Sequence, residues 1–361
     1  MLIFNSLFSH LVKKIMQLYN KLSAKERASL IEKAGKRRIT LSFYKYYQIK
    51  NTSIFRDHLY MMWEKLDVLG RIYIAHEGIN AQLSVPSQNF QAFKSKLDSI
   101  KFLKDIRLNV AVEQDDFSFL KLKVKVRQNI VADGLPENSF DLSNNGKHVN
   151  ASEFNNLVED PNTLLVDMRN HYESEIGHFQ GAILPDVDSF RESLPIIERK
   201  FEKHKKTKNI VMYCTGGIRC EKASAFLKHK GYEKVYQLDG GIIEYARQVD
   251  QEKLKNKFIG KNFVFDHRRS ESVSNEIIAN CHQCGVKCDS HINCENEACH
   301  LLFIQCENCA KEFKNCCSKE CYEVNSLSLE NQKILRKGKK NSNKIFKKGR
   351  SDALKFKKTS S

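Results

Sequence analysis

The sequence predicts a multidomain protein in which an α+β domain is followed by a parallel α/β domain and a small cysteine-rich module. Three observations carry that expectation. The chain has 361 residues, 41% of them apolar, enough for two or three domains at roughly 100–200 residues each. Near residue 148 its hydrophobic pattern changes, from strands with one buried face to short runs of the kind buried on both. All twelve cysteines lie after residue 213, and ten of them fall between Cys281 and Cys321.

The expected segments are a helical N-terminal extension over 1–38, an α+β domain over 39–129, an α/β domain over 130–258, a cysteine-rich module over 259–325 and a basic, mobile tail over 326–361. In the extension, Leu7, Leu11, Ile15, Leu18 and Leu22 share one helical stripe, which predicts an amphipathic helix or helix pair over 6–34 packed against the body. TLSFYKYYQI at 40–49 has the β-branched and aromatic character of a strand. Residues 53–66 read as a helix with Ile54, Leu59, Met62 and Leu66 on its buried side, and 87–98 as a second helix. Strands are expected at 70–75 and 80–85, joined by His76, Glu77 and Gly78, and again near 104–112 and 119–127. The order βαββαβ with one added strand is that of a ferredoxin-like domain. Such a scaffold names no activity by itself.

Beyond residue 148, the apolar runs 164–167, 209–213 and 234–238 alternate with helical stretches at 151–158, 189–203, 219–230 and 241–248, the pattern of a parallel sheet covered on both faces. Ligands of such sheets sit beyond the carboxyl ends of the strands. The segment leaving the 209–213 strand is Cys214-Thr215-Gly216-Gly217-Ile218-Arg219-Cys220, followed at once by a helix. A thiol there meets the backbone N–H groups of a glycine-rich turn and the positive end of a helix, which together stabilise a thiolate. At an ordinary pKa near 8.5 only about 3% of a thiol is ionised at pH 7, so a depression of about two units makes most of it nucleophilic. Cys214 is therefore the candidate nucleophile, open to substrate at the mouth of the sheet, with Arg219 adding charge or tying the loop together. Cys220 is either an inert buried thiol or a resolving partner for Cys214.

LLVDMRNHYESEIGHFQGAI at 164–183, CTGGIRC at 214–220 and YQLDGGIIEYA at 236–246 resemble a rhodanese homology domain. The six residues from Cys214 to Arg219 look like its sulfur-handling loop, one residue shorter than the phosphate loop of related phosphatases. Asp167 and Arg169 resemble the strand-end pair that braces this loop. FYKYY at 43–47, AHEGINAQLSVP at 75–86, VADG at 131–134, IGKNFVFDHR at 259–268 and CHQCG at 281–285 extend the likeness, over about 39–350, to the bacterial tRNA uridine hydroxylase family. The resemblance implies an acylphosphatase-like N-terminal domain, a rhodanese-like catalytic domain and a cysteine-rich C-terminal region. It implies oxygen-dependent conversion of the tRNA wobble uridine to 5-hydroxyuridine, with Cys214 as the essential residue, acting as thiolate or persulfide. Molecular oxygen would be a co-substrate, and no flavin or haem motif accompanies it.

In the cysteine-rich segment, Cys281-x2-Cys284 and Cys306-x2-Cys309 are knuckle-like pairs whose four thiolates suit one tetrahedral ion. Cys288, Cys294, Cys299, Cys316, Cys317 and Cys321 are further ligand candidates, with His282, His291 and His300 among them. Zinc is the expected metal, disulfides or an iron–sulfur cluster being the alternatives. With so few large apolar residues, metal binding would supply much of the folding free energy. The surplus of ligands favours a structural over a catalytic ion.

Lys+Arg number 60 against 43 Asp+Glu, a net charge of +17, and residues 333–358 alone hold twelve basic side chains against Asp352. Such a tail solubilises or binds a polyanion. If the partner is a tRNA anticodon stem–loop, Tyr44, Tyr46, His76, Arg268, Arg269 and the tail lysines are candidate contacts. The sequence suggests no protein partner. No apolar run approaches the roughly 20 residues of a membrane span, and a cytoplasmic location is expected from the clustered cysteines and the interrupted N-terminal apolar stretch. Two other readings fit the same residues: a sulfurtransferase passing sulfur from a Cys214 persulfide, and a non-catalytic RNA-binding module.

Overall fold

The computed structural model describes residues 18, 20–35, 37–136, 139–337 and 354. They form two compact units, Met1–Val131 and Ala132–Ser361. In the first unit, helix α1 (Ala24–Ala34) starts from a capping box in which Ser23 and Glu26 bond each other's backbone N–H, and stops at Gly35 in the left-handed region. It is the C-terminal part of the helix or helix pair expected over 6–34; residues 1–17 and 19 lie outside the described residues.

Five strands follow: β1 (Arg38–Tyr46), β2 (Leu69–Ala75), β3 (Gly78–Pro86), β4 (Asn109–Val110) and β5 (Leu122–Val126). They form one sheet in the order β4-β1-β3-β2-β5. Helices α2 (Thr52–Glu64) and α3 (Phe90–Asp98) supply Leu59, Trp63, Phe93 and Leu97 to a core shared with Leu41, Phe43, Ile72, Ile74, Leu83 and Val124. The predicted ferredoxin-like order is the one observed. One core assignment is corrected: Ile54 is 67% exposed, whereas Leu59, Tyr60 and Trp63 are buried. Ile54 lies five residues before Leu59, about 140° around the helix, which turns it away from the sheet.

The second unit is built on four parallel strands, β6 (Lys147–Val149), β7 (Thr163–Asp167), β9 (Asn209–Tyr213) and β10 (Val235–Leu238), in the order β6-β10-β9-β7. Helices α4 (Ala151–Glu159), α5 (His171–Ser174), α6 (Phe190–Phe201), α7 (Ile218–His229) and α8 (Gly241–Glu252) separate and flank them. Phe154, Phe179, Tyr213, Tyr245 and Phe258 pack together in the core. Strand β8 (Gly177–Phe179) pairs with β11 (Phe258–Phe263), which also pairs with β12 (Ser270–Ser272). That small antiparallel sheet and the edge strand β6 carry no clear periodicity and were not expected.

The cysteine-rich segment belongs to the same unit. It contains the hairpin β13 (His291–Asn293) and β14 (Leu302–Ile304), and the short helices α9 (Glu307–Phe313) and α10 (Lys319–Asn325). Beyond it, α11 (Leu329–Arg336) is ordered where a mobile tail was expected, and Leu354 is buried against Cys294, Cys299 and Phe303. Other tail residues after 337, most of its lysines among them, lie outside the described residues. No helix among the described residues is long and apolar enough to cross a membrane.

Candidate active site

The loop leaving β9 is held from below by α8. Ile242 N–H donates to Cys214 O at 3.0 Å and Ile243 N–H to Thr215 O at 3.2 Å. This approach is why residue 241 is glycine: with φ +67°, an added Cβ would stand 2.5 Å from Cys214 O. On the other side Gly217, also left-handed at φ 98°, begins α7 and aims its N–H at Cys214 Sγ, 3.1 Å away.

Burial opposes ionisation of Cys214, but the Cys220 thiol, the Arg219 guanidinium and the N–H groups of Arg219 and Cys220 outweigh it and hold the thiol at about 6. Cys220 carries the reciprocal shift: burial and its bond to Cys214 push its pKa well above the ordinary thiol value. Of the two thiols Cys214 is therefore the one favoured to ionise, with Gly217 N–H aimed at its sulfur. The expectation of an open sulfur is corrected, for Cys214 is fully buried. Its surroundings nonetheless include hydrogen-bond donors and a cation, and Thr215, Gly216 and Ile218 of the same loop are half-buried.

Arg219 is clamped. Its two terminal nitrogens each donate to a Glu173 carboxylate oxygen at 2.8 Å, and Nη1 lies 3.5 Å from Met168 O. Both side chains are buried, so the pair satisfies itself and positions a positive charge beside the thiolate. Glu173 is a residue that reading the sequence for chemistry missed. The available signal was Asn170-x-x-Glu173, the capping box that starts α5. Asp167 and Arg169 form a second buried pair, with Arg169 Nε 2.9 Å from Asp167 Oδ1 and Nη2 2.6 Å from both Asp167 Oδ2 and Gly177 O. Arg169 also lies over the Tyr213 ring, joining the ends of β7 and β9. Lys222 and Asp133 are a third buried ion pair, tying α7 to the 131–134 segment.

The cysteine-rich segment gathers two sets of four sulfurs. Cys281, Cys284, Cys306 and Cys309 form one, Cys294, Cys299, Cys317 and Cys321 the other, and within each set the sulfurs lie within 4.8 Å of one another. Cys284 and Cys306 are 3.6 Å apart, as are Cys299 and Cys317, while Cys317 and Cys321 are 3.7 Å apart. A disulfide would need about 2.05 Å; four thiolates about 2.3 Å from a tetrahedral ion stand about 3.8 Å apart. Both sets can therefore hold a metal ion. Cys288 and Cys316 fall in neither set, and burial raises the pKa of each, which keeps them as thiols. His282 bonds Glu175 Oε1 at 2.8 Å, and His291 is pushed down to about 3 by burial, so it stays neutral against Phe263. Neither histidine belongs to a sulfur set, and nor does His300.

The RNA candidates divide. Tyr44 and Tyr46 are half-buried on the sheet of the first unit, and His76 is exposed with Nδ1 3.0 Å from Ile49 O. Arg268 is withdrawn from solvent by Asp266, 2.9 Å from its Nε, and by Glu271. Arg269 donates to His291 O at 2.9 Å. Both arginines brace the module, and the charge of Arg268 is already engaged by its two carboxylates.

Comparison with known proteins agrees with this architecture. Residues 38–130 match the UPF0176 acylphosphatase like domain, 150–248 the Rhodanese-like domain and 259–322 the Rhodanase C-terminal family. A tRNA uridine(34) hydroxylase of Leptospira interrogans is 54% identical over 94% of this chain and 91% of its own. One of Pectobacterium carotovorum is 52% identical over 92% of this chain and 94% of its own. Among solved structures, a rhodanese-like domain from Anabaena is 19% identical over 31% of this chain and 78% of that one, with a TM-score of 0.25, a likeness too slight to carry an argument.

Proposed function

The chain belongs to the tRNA uridine(34) hydroxylase family, and from that premise we propose that it is an oxidoreductase converting the wobble uridine of tRNA to 5-hydroxyuridine, with Cys214 as the essential sulfur. The observation that carries this reading is the thiol held at about 6 in a loop of donors. Uracil is electrophilic at C6 and unreactive at C5. Addition of the Cys214 thiolate to C6 turns C5 into an enolate-like nucleophile able to attack an oxidant. One oxygen atom becomes the C5 hydroxyl; loss of the C5 proton then expels the thiolate from C6 and restores the double bond. With molecular oxygen as co-substrate, the second atom leaves as water, at the cost of two electrons and two protons from an external donor.

In this scheme Gly217 N–H and the start of α7 hold the sulfur's charge before and after addition. Arg219 is a positioning residue, fixed by Glu173, and Asp167 with Arg169 braces the strand ends beneath. Thr215, Gly216 and Ile218 complete the loop around the sulfur, and the packing over it must open to admit the base from an anticodon stem–loop. The full burial of Sγ also favours a persulfide form, whose outer sulfur would sit about 2 Å farther along the loop axis. The two sets of four cysteines suit zinc; such ions would hold the module's fold and supply no step of the reaction.

The test is nucleoside mass spectrometry of tRNA from cells lacking the protein, complemented with wild type or Cys214→Ala. The 5-hydroxyuridine signal should vanish, return with wild type, and stay absent with the variant. Full restoration by Cys214→Ala would remove the sulfur from the mechanism. Thiosulfate-to-cyanide transfer by a protein whose absence leaves tRNA unchanged would establish the sulfurtransferase reading instead.

A further inference from the structure

The sheet of the first unit has two unlike faces. Leu41, Phe43, Ile72, Ile74, Leu83 and Val124 point to the core under α2 and α3. On the other face, cross-strand register aligns Ser42, Gln82, Arg71 and Lys123 in one row. The next row is Tyr44, Asn80, Tyr73 and Lys125. One end of this face is closed: Ile31 of α1 packs with Leu69 and Phe119, and Arg38 and Ser84 are buried there. At the end bearing the two rows Lys123, Lys125 and Arg127 are exposed and Tyr44, Tyr73 and Arg71 half-buried. Asn80, between the tyrosines, donates to Ile130 O at 3.1 Å, so the accessible part is the Tyr73, Arg71, Lys123 and Lys125 side and the Tyr44 edge.

Neither row contains an acidic residue. Burial, together with repulsion from Arg71, Lys125 and Lys121, lowers the Lys123 pKa, so these cations crowd one another. Arg127 lies over the Tyr73 ring, 5.4 Å from its centroid, so a base stacking on Tyr73 takes the ring's other face or displaces this guanidinium. The spacing also matters. Tyr44 and Tyr73 are on β1 and β2, with β3 and Asn80 between them, so they stand about 9–10 Å apart across two strand spacings. Flat rings presented from a ferredoxin-like sheet among basic side chains suit unpaired bases, whose faces stack on aromatics while their phosphates meet lysine and arginine.

We propose that this end of the sheet face binds a single-stranded loop of RNA, with bases stacking on Tyr44 and Tyr73 and the backbone tracking Arg71, Lys123 and Lys125. This rests on the reading of tRNA as substrate and adds where its loop is gripped.

The experiment measures binding of a fluorescent anticodon stem–loop RNA to the full chain across a salt series. Lys123→Glu with Lys125→Glu should weaken binding at least about tenfold and flatten the salt dependence by roughly 0.7 in log–log slope per lost phosphate contact. Tyr73→Ala should weaken it about tenfold, and Tyr73→Phe, which keeps the ring, should bind as wild type. Thermal melting of each variant checks that the exposed substitutions leave the fold intact. Wild-type affinity in a correctly folded double lysine variant would overturn the proposal. So would tighter binding of anionic phosphatidylserine vesicles than of the RNA. The function reading is read separately, from 5-hydroxyuridine in tRNA. Full product with the double lysine variant refutes this surface and leaves the function standing; unchanged product in cells without the protein refutes both.

Discussion

Cys220→Ala removes the neighbouring thiol, the group that most favours the Cys214 thiolate against the cost of its burial. The structure holds Cys214 at about 6, so about 90% of it is ionised at pH 7. A hydrogen bond to a charged group contributes about 1.5–3 kcal/mol, which is about 1–2 pKa units. Removing the Cys220 thiol should therefore raise the half-point of Cys214 ionisation to between about 7 and 8, and reduce the thiolate at pH 7 to between about 50% and 10%. The sign follows from the charge: a lost donor destabilises the thiolate, so reactivity is lost at neutral pH and recovered in base. The assay is the pH dependence of Cys214 alkylation by iodoacetamide, read on its own peptide by mass spectrometry. Opening of the loop scales the rate at every pH alike and leaves the half-point unmoved. Reaction at pH 7 should slow about two- to ninefold, with the plateau in base unchanged. A half-point that stays at about 6 in the variant would refute the role given to Cys220 and leave the helix terminus and Arg219 as the agents.

The remaining predictions concern the frame of the site and the sulfur sets. Gly241→Ala places a Cβ 2.5 Å from Cys214 O at positive φ and should cost about 2–4 kcal/mol in urea unfolding. Asp167→Asn leaves the fully buried Arg169 charge without its counter-ion and should cost about 3–5 kcal/mol by the same measurement. Metal analysis of protein purified without chelator should find two zinc ions per chain. Cys309→Ser should lose one of them, whereas Cys288→Ser and Cys316→Ser, outside both sets, should keep two.

Much of this protein is legible from sequence because it is locally encoded. The change from half-buried to fully buried strands separated the two sheet types, and CTGGIRC by itself implies a thiol at a glycine turn before a helix. There, the residues that act on the sulfur are its chain neighbours, Gly217, Arg219 and Cys220. The two Cys-x2-Cys pairs likewise announce one four-sulfur set. Short strands such as β6 and β8, and the ordered helix α11, escaped because a few residues carry too little periodicity to register.

Tertiary structure alone decided what joins distant parts of the chain. Glu173 reaches Arg219 from 46 positions away, and the second sulfur set selects Cys294, Cys299, Cys317 and Cys321 while leaving Cys316 aside. By sequence Arg268 is available for phosphate; in the fold Asp266 and Glu271 surround it. The buried Cys214 shows the same division. Its neighbours in sequence settle how readily it ionises, since hydrogen bonds and helix ends act over a few ångströms. Whether solvent or a base can touch it depends on which remote segments pack over the loop, and burial is a sum over all of them.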